Sequence, residues 1–116
     1  MNTIGAISNV GQAGRSVIAG STASHAPYVA NPVPDQNYTT GFTTANIDIT
    51  NVFADPDGTT PTWVVHSNSD PGVVTVVKAA NLLVVTEVAD GTTTIVLRAT
   101  DGTYTVDDTF TITVAP

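Results

Sequence analysis

The stretch Thr93-Thr94-Ile95-Val96-Leu97-Arg98-Ala99-Thr100-Asp101-Gly102, followed by Asp108-Thr109-Phe110-Thr111-Ile112-Thr113-Val114, decides the fold class. Successive side chains of a strand point to opposite faces, so Ile95, Leu97 and Ala99 share one face and Thr94, Val96, Arg98 and Thr100 the other. Phe110, Ile112 and Val114 repeat the pattern between Thr109, Thr111 and Thr113. One face is apolar and one is wet, as in an antiparallel sheet packed on a core. Asp101-Gly102 between the two runs reads as a type I′ hairpin turn.

Working outward, strands and turns alternate at the spacing of a β-sandwich. A strand is expected near 29–38, a second at 44–50, a third at 62–67, and a fourth and fifth at 73–78 and 81–87. The two strands above, at 93–100 and 104–114, complete seven. Asp55-Pro56-Asp57-Gly58, Ser69-Asp70-Pro71-Gly72, Ala79-Ala80-Asn81 and Asp90-Gly91 supply turns. Trp63 and Val65 should face inward, with Trp63 near Ile47, Leu97 and Phe110. Val73-Val74-Thr75-Val76-Val77 and Leu82-Leu83-Val84-Val85 place apolar groups on both faces, which leaves a surface suited to a subunit contact.

Composition agrees with an all-β chain. Of 116 residues 41% are hydrophobic, enough for one core, and only 11% are charged. Threonine is the main polar residue, with 21 copies, and β-branched side chains favour strands. There is no cysteine, so no disulfide staples the fold. The net charge of −7, with only Arg15, Lys78 and Arg98 as bases, argues against nucleic acid as a partner. No run approaches the ~20 apolar residues of a membrane span.

The first 28 residues differ from the rest. They hold Gly5, Gly11, Gly14 and Gly20, no acid, and scattered Ile4, Ile7, Val10, Val17 and Ile18. Glycine disfavours a helix there. The expectation is an extended Gly/Ala/Ser-rich arm, residues 1–28, whose five aliphatic residues contact a protein partner, and a sandwich at 29–116. The opening Met1-Asn2-Thr3-Ile4-Gly5-Ala6 lacks the basic and apolar regions of a secretory signal.

Asn46-Ile47-Asp48-Ile49-Thr50-Asn51-Val52-Phe53-Ala54-Asp55-Pro56-Asp57-Gly58 resembles the second-strand signature of bacterial cadherin-like, dystroglycan-type immunoglobulin-like domains. Trp63-Val64-Val65, the 93–102 stretch and the 108–114 stretch stand where that family has its third and closing strands. Asn31-Pro32-Val33-Pro34-Asp35-Gln36 fits its opening. The resemblance covers residues 30–116. It implies an immunoglobulin/cadherin-like sandwich and a place in surface adhesins. Two features depart from it: the chain shows no tandem repeat, and the family's Asp-Gly-Asp is replaced at Gly58-Thr59-Thr60, removing one potential calcium ligand.

Candidate chemistry is sparse. Asp55, Asp57 and Asp101 could lie at one end of the sandwich and offer oxygens to calcium. Asp before Gly or Pro also caps its own backbone, so the expectation is turn chemistry, no tight metal site and no cofactor. No enzyme is expected. His25 falls in the arm and His66 on the wet face of the third strand. Asp107 and Asp108 alternate faces, so they do not form a carboxylate pair, and an inward one would mark a bulge.

The function read from the sequence is therefore structural: a phage or virus capsid decoration or head-fibre subunit, located on the virion, held by its arm on a lattice or on copies of itself. The alternative is a cell-surface adhesion repeat or glycan-binding module from a longer secreted protein.

Overall fold

The computed structural model describes residues 25–116, and within them it is all β. Nine segments run in chain order: β1 (Tyr28–Val29), β2 (Gln36–Thr39), β3 (Thr44–Asp48), β4 (Phe53–Ala54), β5 (Thr62–Asn68), β6 (Val74–Ala79), β7 (Leu82–Glu87), β8 (Gly91–Thr100) and β9 (Thr105–Ala115). One sheet has the order β2-β9-β8-β5 and the other β3-β7-β6, with β1 and β4 forming a short pair beside them. The five aliphatic arm residues, Ile4, Ile7, Val10, Val17 and Ile18, lie outside the described residues.

The core forms where the alternation said it would. Ile95, Leu97, Ala99, Phe110, Ile112 and Val114 are buried from one sheet, and Val74, Leu83 and Val85 from the other. Trp63 is buried in the same cluster as Leu97 and Phe110, with Ile47 packed against it. On the outer face of the second sheet Val77 and Leu82 stay exposed, as the two-sided pattern of those strands implies.

The first strand is where the chain departs from a purely antiparallel plan. It is split into β1, which pairs antiparallel with β4, and β2, which pairs parallel with β9. The cause is the Pro32-Val33-Pro34 segment between them, since proline fixes φ and has no N–H to donate to a ladder. Val33 carries the one free N–H of these three residues, and it donates to the carboxylate of Asp108 at 2.9 Å. Asp108 is thus buried for a purpose, and β8 and β9 pair through it without a register shift. The bulge expected at that position lies instead in β5, between Val65 and Ser67, around the exposed His66.

The 101–104 hairpin also differs from expectation. Only Gly102 takes a positive φ (99°), whereas a type I′ turn needs two such residues. Asp101 Oδ1 accepts the N–H groups of Thr103 and Tyr104, both at 2.8 Å, and this cap sets the loop.

Candidate metal centre at the end of the sandwich

Alternation brings two loops to one end. Phe53 and Ala99 are core residues, and Asp55 and Asp101 follow each by two positions, just past the strand ends. Both carboxylates therefore fall in the loops just past β4 and β8. The 55–58 turn is closed by Gly58 N–H to Asp55 C=O at 3.0 Å, and by Asp57 N–H to Asp55 Oδ1 at 2.8 Å. Gly58 accepts a φ of 83° there, a conformation open to glycine at little cost.

Turn chemistry, as expected, employs one oxygen each of Asp55 and Asp101. It does not employ the other oxygen of Asp55: Oδ2 is buried and has no hydrogen-bond partner. Ligand oxygens from Asp55, Asp57 and Asp101 all lie within 4.8 Å of one another. Three oxygens spread evenly ~2.4 Å from one ion lie about 4.2 Å apart, so a hard cation would draw on a cluster close to this size. The donor set is all oxygen, the choice of a hard cation, and backbone carbonyls and water would complete its shell.

The charge at this end is held in place by N–H groups. Asp57 lies below the usual carboxylate range because the His25 backbone N–H, and then its ring, donate to it. Asp101 is lowered by the N–H groups of Tyr104 and Thr103. The contact with His25 was not visible in the sequence. His25 N–H donates to Asp57 Oδ2 and its Nδ1 meets Asp57 Oδ1, each at 2.8 Å, across 32 positions. Nothing in the local sequence links the two residues. Tyr28, counted with the arm from sequence, pairs with Ala54 beside the same end.

Other candidate groups are engaged elsewhere. Arg98 and Asp107 form a two-pronged pair on the wet face, at 2.7 and 2.9 Å. Lys78 donates to the Trp63 carbonyl at 2.6 Å and lies 4.8 Å from the Trp63 ring centre. Both bases outside the first 24 residues are thus tied to the body of the domain.

No protein-family model matches the chain, and no curated protein matches it. Solved structures do. The chain is similar to part of the endo-fucoidan hydrolase MfFcnA9 of glycoside hydrolase family 107, with a TM-score of 0.58 and 16% identity over 79% of this chain and 17% of that one. It is also similar to a chimeric titin Z1Z2 carrying a peptide from decorin, with a TM-score of 0.52 and 18% identity over 80% of this chain and 49% of that one. The chain thus spans about one sixth of the hydrolase and half of the titin fragment. At these identities the likeness establishes the fold, an immunoglobulin-like β-sandwich.

Proposed function

We propose that the chain is a non-enzymatic structural module of the cadherin-like, dystroglycan type, and that it serves on a virion surface as a capsid decoration or head-fibre subunit. Residues 1–28 provide the attachment, and a calcium-class cation orders the end from which they leave. One observation carries this reading. Residues 25–28 are seated where Asp55, Asp57 and Asp101 converge, so attachment and cation chemistry share one place. The bare carboxylate oxygen of Asp55 is the feature that turn capping does not explain.

The proposed partners are proteins, either a capsid or surface lattice or further copies of the chain. β3 is an edge strand, with β7 on one side only, and an extended segment of a neighbour can add to such an edge. Nucleic acid fits poorly with a net charge of −7.

The test is a chain lacking residues 1–24. It should unfold at the same urea concentration as the full chain and fail to co-sediment with particles of the source. Normal incorporation of the shortened chain would remove the anchoring role.

A second reading has its own support. Tyr28 and Tyr104 are exposed and are close chain neighbours of the acidic residues, Tyr104 through the Asp101 cap and Tyr28 through its pairing with Ala54. Aromatic rings beside a cation suit a glycan-binding or adhesion module. Calcium-dependent signals on a glycan array, lost in Tyr28→Ala and Tyr104→Ala, would favour it.

A further inference from the structure

Asp57 stands apart from its two partners in the acidic cluster. Asp55 and Asp101 spend one oxygen each on their own loops. Asp57 has both oxygens engaged by His25, a residue of the N-terminal segment. The imidazole Nδ1 facing a carboxylate oxygen at 2.8 Å carries the proton of that contact. It therefore presents the positive end of an N–H to the oxygen a cation would use.

We propose that a divalent hard cation and His25 compete for Asp57, so that cation binding releases the N-terminal segment from the end of the sandwich and cation loss clamps it back. The inference rests on the cation reading given above.

Three features of the geometry support competition over shared use. Ligand oxygens of Asp55 and Asp101 lie within 4.8 Å of an Asp57 oxygen, so an ion shared by the three takes Asp57 as a ligand. Both Asp57 oxygens already accept from His25, one from its backbone N–H and one from its ring, so an ion on either oxygen meets a His25 hydrogen. A hard cation selects oxygen over imidazole, so His25 gains nothing by following as a ligand. Binding linkage then requires reciprocity: whatever His25 docking takes from cation affinity, the cation takes from His25 docking.

The consequence reaches the chain on either side of the contact. His25 is three residues before β1, and β1 is only Tyr28–Val29, paired with Phe53–Ala54. A two-residue pair depends on its neighbours to stay formed, so loss of the His25 contact weakens the hold on residues 25–29. Release would free His25 and the chain that leads into it at the place where the cation has just bound.

The experiment is calcium titration by calorimetry on the full chain, its His25→Ala variant and its Asp57→Asn variant. Backbone amide NMR of the wild type in calcium and in EDTA, and of Asp57→Asn, runs alongside. His25 is exposed, so His25→Ala should fold, and an unchanged emission maximum for the buried Trp63 verifies it. His25→Ala should bind calcium about 5–10-fold more tightly than wild type, at the lower end of usual coupling between sites. Calcium should also move the wild-type amide signals of His25 and Tyr28 toward their positions in Asp57→Asn. Equal affinities in wild type and His25→Ala, with calcium bound in both, would overturn the competition and leave the cation site standing. Weaker binding by His25→Ala would overturn it too, by making His25 a helper of the site. No heat of binding in any of the three chains at millimolar calcium would remove the cation site and the competition together.

Discussion

The two ends of β8 make an instructive pair. Near its start Thr93 is buried, and its hydroxyl donates to Asn68 Oδ1 at 2.5 Å, accepts the Asp70 N–H at 2.8 Å and meets Ser69 Oγ at 3.2 Å. These groups find their partners inside the domain. Just past its other end Asp101 joins Asp55 and Asp57, and there Asp55 Oδ2 is buried and bare. A closed network rigidifies, and its loss is felt as lost stability. An open one leaves a group waiting for a partner from outside. The comparison separates a corner that holds the fold from a corner that uses it.

The largest effect should come from neither end but from the core between them. Trp63→Ala should cost about 3–5 kcal/mol in urea unfolding, the usual range for deleting a large buried aromatic ring. Trp63→Phe should cost far less, because the indole Nε1 is buried without a partner and its loss is no loss of a hydrogen bond. Both ends would fail together in the alanine variant, which would show that they share one cooperative unit.

Two substitutions of middling size break the closed parts of the structure. Asp108→Ala strands the buried N–H of Val33 between its two prolines and should cost about 1–3 kcal/mol, with Asp108→Asn recovering most of it. Thr93→Val keeps the shape and removes the hydroxyl, leaving the Asn68 and Asp70 groups short of a partner, at about the same cost. Equal stability of Thr93→Val and wild type in urea would mean that these hydrogen bonds do not stabilise the closed corner.

Acid should give the smallest effect per group. Asp57, Asp101 and Asp107 are held below the ordinary carboxylate range by His25, by the Tyr104 and Thr103 N–H groups and by Arg98, respectively. A depressed pKa in the folded state means stability that is present above the unfolded value near about 3.9 and is lost as pH falls through the folded one. Melting temperature should therefore hold steady from neutral pH to about 5 and fall below about 4. Asp107→Asn should flatten part of that fall.

These contrasts follow the line between what the sequence made legible and what it did not. The inward sets of β8 and β9 were readable because a period of two is local, each residue being placed by its neighbour. Asp55, Asp57 and Asp101 were readable as weak calcium candidates because each precedes Pro or Gly in a turn that could fall at one end of the sandwich, where turn chemistry and no tight site were expected. His25 was not, since its partner is 32 positions away and neither residue's surroundings point to the other. The split of the first strand and its parallel pairing with β9 lay beyond local reading too. Pro32 and Pro34 announce an edge, but which sheet edge takes the chain is settled by Asp108, on a strand at the far end of the sequence. Asp108 itself looked misplaced only because its partner is a backbone N–H, which the sequence cannot display.

Thermal unfolding of the full chain in calcium and in EDTA tests the open corner most directly. An ion that binds only the native state, present at about 100 times its Kd, adds about 2.7 kcal/mol, or roughly 10 °C for a domain of this size. The expected result is a rise of that order in wild type and none in Asp55→Asn, which removes charge from the buried carboxylate while keeping its shape. The same melting temperature for wild type in calcium and in EDTA would contradict the assignment of Asp55, Asp57 and Asp101 as a cation site.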